Sequence, residues 1–442
     1  MTSLSTPLTI SVIGCGYLGA VHAAAMAELG HRVIGIDVDK AKIDLLAAGR
    51  PPFYEPGLPE LLTSATASGR LTFSTDIAAA AEATVHFVAV GTPQRAGSNA
   101  ADLTYVDAAV ESLLPHLSEG DLVVGKSTVP VGTAERLAAV VSGAGVGATL
   151  AWNPEFLREG FAVKDTISPD RLVYGVGEGD EHAESVLDAV YAAALAAGTP
   201  KVVTGYATAE LVKVSANAFL ATKISFINAM AEVAEATGAD VTQLADAIGF
   251  DARIGRRFLN AGLGFGGGCL PKDIRGFMAR AEELGVEQAL SFLSEVDSIN
   301  LRRRGRMVDL ATEVLDGDVS GKRIAVLGLA FKPDSDDVRD SPALDVAVRL
   351  AELGAIVVAT DPEAVETSRA RHPELTYVST AVEAAQDADV VLLLTEWKQY
   401  RDLDPAELTS VVSGRALLDG RNCVDPVVWR EAGWTYRALG RP

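Results

Sequence analysis

Two stretches of this 442-residue chain each read strand, glycine turn, helix, strand, and the stretch between them reads as helix throughout. Together these patterns predict an α/β protein in which two doubly wound, Rossmann-like domains flank a central all-helical domain. At the usual ~150 residues per domain the length also fits three domains. The expected boundaries are 1–200, 201–300 and 301–442. A composition of 48% hydrophobic and 22% charged residues is that of an ordinary globular protein, which excludes the disordered, collagenous and fibrous classes.

The first repeat opens at Leu8 with the apolar strand LTISVIG, turns through glycines into an alanine-rich helix over 18–29, and returns after Gly30 through HRVIGID. That is a βαβ opening. Apolar strands over 85–90 and 122–124 follow, each running into a Gly/Thr/Pro/Ser turn and a helix-forming stretch. Such alternation implies a parallel sheet whose ligands lie at the carboxyl ends of the strands. The middle section holds a proline-free helical stretch over 207–238, then Asp240 as N-cap of VTQLADAIG. A second long helix is expected over 286–315, with Leu290, Leu293, Val296 and Ile299 at three-residue spacing. At 1.5 Å per residue it would reach ~45 Å, enough to join two domains. Its arginines, Arg302, Arg303 and Arg304, read as a solvated face.

The third section repeats the first. Gly321-Lys322-Arg323-IAVLG leads into a turn, a helix starts at Ser341, and ELGAIVVATD closes the unit as ELGHRVIGID closes the first. The interval from turn glycine to strand-end aspartate is ten residues longer in the second unit, Gly328 to Asp361 against Gly14 to Asp37. The added loop contains Lys332 and Arg339, cations in place of a glycine cradle.

Lys+Arg 38 against Asp+Glu 59 leaves a formal net charge of −21, so nucleic acid is excluded as a partner. A phosphate-bearing ligand would need locally gathered Lys and Arg. Three cysteines, Cys15, Cys269 and Cys423, without CxxC spacing, point to a reducing compartment. The first residues lack a basic leader region, and no apolar run approaches ~18 residues. A soluble, cytoplasmic protein with no membrane partner and no metal site is expected.

Gly14-Cys15-Gly16-Tyr17-Leu18-Gly19 fits G-x-G-x-x-G between a strand and a helix, with Asp37 ending the next strand. Glycines admit a pyrophosphate, the helix N-terminus donates N–H groups to it, and the aspartate accepts from ribose hydroxyls. An acidic residue there repels a 2′-phosphate, so NAD is expected over NADP. Cys15 reads as a small packing residue. Asn153-Pro-Glu155-Phe156-Leu157-Arg-Glu159-Gly sets two carboxylates four apart; on a helix they would share a face, either for acid/base work or as a solvated surface. Lys213 and Asn217 are also four apart, and read either as an oxyanion-holding pair or as a structural salt bridge with helix polarity. The run from Arg253 through Gly268-Cys269-Leu-Pro-Lys272-Asp273 is the most informative. Its glycines allow close backbone approach, and a thiol beside Lys272 and Asp273 is a nucleophile candidate.

On these residues the chain resembles the UDP-glucose 6-dehydrogenases, within the nucleotide-sugar dehydrogenase family. The motifs that carry the resemblance span the chain: GCGYLG, FYEPGL (53–58), VGTP (90–93), GKSTVPVGT (125–133), NPEFLREG, KVSAN, RIGRRFL, GFGGGCLPKD, FKPDSDDVRDS, TEW (395–397) and DGRN (419–422). The resemblance implies an NAD domain, a helical dimerisation core and a C-terminal UDP-binding domain. It also implies that C6 of the glucosyl unit is oxidised twice to a carboxylate, with two NAD, through a thiohemiacetal and then a thioester on Cys269. Lys213 and Asn217 would hold the oxyanion, Asp273 with Thr128 would position water or shuttle the alcohol proton, and Glu155 would act in thioester breakdown. Gly14, Gly16, Tyr17, Leu18, Gly19, Asp37 and Lys42 would bind the cofactor, with Thr92, Thr128, Glu159, Lys272 and Arg339 on its nicotinamide side. Substrate contacts would come from Glu155, Phe156, Leu157, Lys213 and Asn217, from Asn260, Phe265 and Gly266 in the nucleotide-wrapping loop, and from Lys332 and Arg421. Arg253 would reach the substrate from the other subunit of a homodimer. Gly268 departs from the family, which more often has Ser there, and is expected to loosen the loop.

GDP-mannose as substrate is disfavoured by the RIG…FL run and by Lys272-Asp273. An ordinary two-electron hydroxyacid dehydrogenase leaves Cys269 and the third domain without a role. A catalytically dead NAD-binding protein leaves the intact Cys, Lys, Asn, Glu and Asp set unexplained.

Overall fold

The computed structural model describes residues 7–441. The chain divides into two compact units, Met1–Ala216 with Glu282–Leu284, and Asn217–Ala281 with Gly285–Pro442. The first is built on eight strands, β1 (Thr9–Ile13), β2 (Arg32–Ile36), β3 (Leu71–Ser74), β4 (Val85–Val88), β5 (Leu122–Gly125), β6 (Thr149–Trp152), β7 (Leu172–Gly175) and β8 (Lys201–Thr204). Their spatial order is β3-β2-β1-β4-β5-β6-β7-β8. All neighbours run parallel except β6 and β7, which meet antiparallel through Trp152 and Gly175. Strands β4 and β5 are buried at every residue, as strands in a sheet covered on both faces should be, and the polar side chain within β4, His86, meets the Ser11 hydroxyl at 2.8 Å.

In the second unit β9 (Arg323–Leu327), β10 (Ile356–Thr360), β11 (Thr376–Tyr377), β12 (Val390–Leu393), β13 (Ala416–Asp419) and β14 (Thr435–Ala438) form a parallel sheet of order β11-β10-β9-β12-β13-β14. That is the order of β3-β2-β1-β4-β5-β6, so the internal repeat read from Glu-Leu-Gly…Asp is a repeat of topology. Both Glu-Leu-Gly segments end their helices in the same way. Gly30 (φ +102°) and Gly354 (φ +91°) take the left-handed conformation, and the next amide reaches back into the last turn, His31 to Met26 and Ala355 to Leu350.

The helix Tyr206–Thr237 runs 32 residues and continues across the boundary between the units. Asp240 caps Val241–Gly249 by accepting from Thr242 N–H and Gln243 N–H. The expected 286–315 helix is shorter: Glu287–Leu290 is a separate 3₁₀ turn, and the α-helix spans Phe292–Val314. At 1.5 Å per residue that is about 34 Å, short of the expected reach.

Its arginines also correct the sequence reading. Only Arg302 is on a solvated face; Arg303 is fully buried and Arg304 nearly so. The helical period puts them with Asn300 and Met307 on the inward side. Their charges are matched there, Arg303 with Glu235 at 3.1 Å and Arg304 with Asp340 at 2.8 Å. Among the described residues no helix is long and apolar enough to cross a membrane.

Candidate active site

The turn after β1 is shaped by two glycines for different reasons. Gly14 has φ +89°, and a Cβ on Gly19 would lie 1.8 Å from the Gly14 carbonyl oxygen, so only glycine lets the helix Tyr17–Glu28 pack onto the turn. Gly16 has open space where a Cβ would be. The helix start carries no side-chain cap and no acidic residue in its first turn, which leaves an N-terminus suited to phosphate. Asp37 is oriented by this turn: Oδ2 accepts from Cys15 N–H and from Lys42 Nζ, each at 2.8 Å, and Oδ1 from Asp39 N–H at 3.0 Å. Cys15 is fully buried, and burial pushes its thiol up to about 12, in keeping with a packing role.

In the second repeat Asp361 does different work. Its Oδ2 accepts from Leu329 N–H, Ala330 N–H and Trp397 Nε1, and its Oδ1 from Glu363 N–H and Ala364 N–H. Five donors converge on this carboxylate from its own unit, which makes it an organiser of the turn.

Segment 153–160 is not a helix, so Glu155 and Glu159 do not share a helix face. Pro154 disfavours the helical region for Asn153, and Gly160 at φ +81° turns the chain. Glu155 instead pairs with Lys213 Nζ at 2.9 Å and accepts from Leu157 N–H at 2.7 Å. The ring of Phe156 lies under the Arg171 guanidinium at 3.7 Å, with Lys213 at 5.7 Å. The segment is tied down by Glu55, a carboxylate within FYEPGL to which the sequence pattern assigns no role. Glu55, 1% exposed, accepts from Gly160 N–H and Ala162 N–H at 2.7 Å each and from the Tyr17 hydroxyl. Burial, and then Glu55, push the Tyr17 phenol upward. Thr92 Oγ1 donates to the Thr128 carbonyl at 2.8 Å, joining the turns after β4 and β5.

Lys213 is set by its own helix. One turn earlier Glu210, 2% exposed, accepts from Gly132 N–H and Ala134 N–H at 2.7 Å each and so caps the helix Thr133–Gly143.

The second unit holds the other cluster. Cys269 is exposed at the start of the helix Leu270–Glu283, and its carbonyl accepts from Asp273 N–H at 2.9 Å. Asp273 is buried, with Asn217 Nδ2 on one oxygen and Lys272 Nζ on the other, both at 2.7 Å. The Asn217 amide is thus engaged by a carboxylate, as Lys213 is in the first unit.

The preceding loop is buried from Ala261 to Gly267 and stitched by its backbone. Leu263 N–H donates to the Gly420 carbonyl, and Phe265 exchanges hydrogen bonds with the Asn300 side chain. Gly266 has no room for a side chain, since a Cβ would lie 2.3 Å from the Asp340 carbonyl oxygen. Asn260, on the surface, accepts from Arg256. Arg421 spends its guanidinium on three carbonyls, those of Leu394, Gly264 and Phe331. Lys332 Nζ lies 5.3 Å from the Phe331 ring. Arg339 pairs with Asp337 at 2.6 Å and fills the space where a residue with a side chain at 268 would put its Cβ, 2.4 Å from the guanidinium carbon. Gly268 therefore makes room for Arg339, a more specific consequence than a loosened loop. Arg253 is largely exposed and pairs with Asp251 at 2.6 Å.

Sequence models of one family match the chain in three consecutive stretches: the NAD binding domain over residues 8–195, the central domain over 207–302 and the UDP binding domain over 325–426. The chain belongs to the UDP-glucose/GDP-mannose dehydrogenase family. It is 41% identical over 438 residues to the UDP-glucose 6-dehydrogenase of Rhizobium meliloti (strain 1021), covering 98% of this chain and 100% of that one. The structure of a UDP-glucose dehydrogenase from the archaeon Pyrobaculum islandicum matches with a TM-score of 0.91 at 41% identity, covering 100% of both chains. GDP-mannose dehydrogenase from Pseudomonas aeruginosa matches with a TM-score of 0.53 at 30% identity, covering 97% of this chain and 99% of that one. As a member of the family the chain is an NAD-dependent dehydrogenase, and the open Gly16, the uncapped helix start and the oriented Asp37 fit that cofactor.

Proposed function

We propose that this enzyme oxidises C6 of UDP-glucose to the carboxylate of UDP-glucuronate through a covalent intermediate on Cys269. The observation that carries this reading is an exposed thiol one helical turn from a buried carboxylate held between an amide and an ammonium. The likeness to UDP-glucose dehydrogenases over the whole chain supports the sugar. When bound, NAD supplies the hydride acceptor, one molecule for each of two oxidations. The cofactor would be held by Gly14, Gly16, Tyr17, Leu18, Gly19, Asp37 and Lys42, with Thr92, Thr128, Glu159, Lys272 and Arg339 toward its reactive ring.

The alcohol first gives up its hydroxyl proton and a hydride to become an aldehyde. The Cys269 thiolate then adds to the aldehyde carbon, and protonation of the resulting oxyanion gives a thiohemiacetal. Loss of the second hydride and the hydroxyl proton leaves a thioester. Water attacks it, the C–S bond breaks, and Cys269 departs as thiolate from the new carboxylate. Lys213 and Asn217 stabilise the oxyanions, Asp273 with Thr128 handles the alcohol proton or the water, and Glu155 is the acid/base in thioester breakdown. Phe156, Leu157, Asn260, Phe265, Gly266, Lys332 and Arg421 form the substrate's surroundings.

Replacing Cys269 by Ser tests the covalent step: net turnover should be lost while NAD binding, followed by fluorescence titration, is kept. Full activity in Cys269→Ser would refute it. The protein is further proposed to act as a homodimer in which Arg253 of one subunit serves the other. Mixing inactive Arg253→Ala and Cys269→Ala subunits should restore part of the activity, and no recovery would exclude action across the interface.

A further inference from the structure

Lys126 directly follows β5 and is buried, with Nζ 5.6 Å from the Phe87 ring and 5.7 Å from the Tyr191 ring. The ammonium donates to Asn153 Oδ1 at 3.0 Å and to the Tyr191 hydroxyl oxygen at 3.2 Å. Tyr191 in turn donates to the same Asn153 oxygen at 2.6 Å, and Asn153 Nδ2 donates to the Val173 carbonyl at 2.9 Å. The Asn153 N–H is taken by the Gly125 carbonyl. Asn153 is therefore held from β5, from β7 and from Tyr191 at once.

That anchoring matters for what comes next in the chain. Pro154 has its φ fixed by its ring, so the pose of Asn153 largely decides where Glu155 begins. Lys126, Asn153 and Glu155 also line one small cleft of about 50 Å³, a volume that admits water. A buried ammonium is an expensive way to fill a core position, because an apolar side chain of similar length would pack there without desolvation. Burial does pull Lys126 down to about 8, with the charge of Glu155 opposing the fall and that of Lys213 adding to it.

We propose that Lys126 is a positioning residue for thioester hydrolysis. Through Asn153 it fixes the segment that presents Glu155, and it supplies a second buried cation beside the carboxylate that Lys213 already pairs. The proposal rests on the role given to Glu155 above, and its test separates the two.

Lys126→Met removes the ammonium at similar length, and Tyr191→Phe removes the hydroxyl while keeping the ring. Each variant is mixed with UDP-glucose and NAD in a stopped-flow instrument, then quenched for intact-mass analysis, with Glu155→Gln alongside. Lys126→Met should release a burst of two NADH per site at close to the wild-type rate. It should then turn over about 100-fold slower, with the acyl adduct on Cys269 visible by mass and KM for NAD within about twofold. Tyr191→Phe should show the same pattern with a loss of about fivefold. A merely structural role would slow the burst together with turnover. If Glu155→Gln shows the adduct but Lys126→Met turns over at the wild-type rate without one, the positioning role is overturned. Should Lys126→Met not fold, a wild-type rate without adduct in Tyr191→Phe overturns it equally. Absence of the adduct in Glu155→Gln refutes instead the assignment of Glu155 to hydrolysis.

Discussion

Exchanging Lys126 for Met also perturbs stability in a way that depends on pH. The Lys126 ammonium falls from 10.5 to about 8 on folding, chiefly because the fold removes it from water. At about 1.4 kcal/mol per tenfold change in proton affinity, holding that proton in the folded state costs about 3 kcal/mol. Below pH 8 both folded and unfolded chains carry the proton, so the full cost is present. Between pH 8 and 10.5 the folded chain releases it while the unfolded chain keeps it, so stability rises with pH through this window. The Met variant has no such proton. Relative to wild type, its stability should therefore be about 3 kcal/mol higher at pH 7 than at pH 10.5, whatever constant offset packing adds. Urea unfolding read by hydrogen exchange in peptides of β5 and β6 reports on the first unit alone. A difference between the two proteins that stays constant within about 1 kcal/mol across the two pH values would refute the burial cost assigned to Lys126.

Two further substitutions probe the supports of the site. Glu210→Ala leaves Gly132 N–H and Ala134 N–H without their partner at the start of the helix Thr133–Gly143 and should destabilise the first unit by about 2–4 kcal/mol, measured by the same exchange method; a loss under about 0.5 kcal/mol would contradict the cap. Arg339→Ala removes the guanidinium that occupies the space beside Gly268. KM for NAD should rise several-fold with the melting temperature unchanged, and an unaltered KM would remove Arg339 from the cofactor.

Local rules were legible in the sequence wherever partners lie close along the chain. The Gly14, Gly16 and Gly19 turn between strand and helix and the Asp240 cap each depend on a few neighbouring residues, and each has its expected form; the twin Glu-Leu-Gly helix ends are equally local. The matching strand orders of the two sheets follow from alternating strand and helix patterns. Partners that come from far along the chain leave no such local signal. Arg303 and Arg304 read as surface because three consecutive arginines resemble a solvated face, yet two of them meet Glu235 and Asp340. The four-residue spacing of Glu155 and Glu159 would give a shared face only on a helix, and Pro154 between Asn153 and Glu155 argues for an extended start. Glu55 clasps an amide 105 positions away, Glu210 one 78 away, and Lys126 a tyrosine 65 away. Nothing in a single sequence marks such partners, though a lone carboxylate inside the motif FYEPGL, or a lysine next to a fully apolar strand, was a reason to ask what holds it. Asp361 is the opposite lesson: its position matches Asp37, but the Trp397 indole and the amides around it claim both of its oxygens.

A four-electron oxidation through Cys269 fixes the yield of NADH at two per sugar, and that yield can be counted. The pure protein is incubated with excess NAD and a limiting amount of UDP-glucose, with GDP-mannose and UDP-galactose in parallel, and NADH is set against sugar consumed. Two NADH for each UDP-glucose, with a carboxylate product and no free aldehyde, is the predicted result. One NADH per sugar, with aldehyde released, would contradict it.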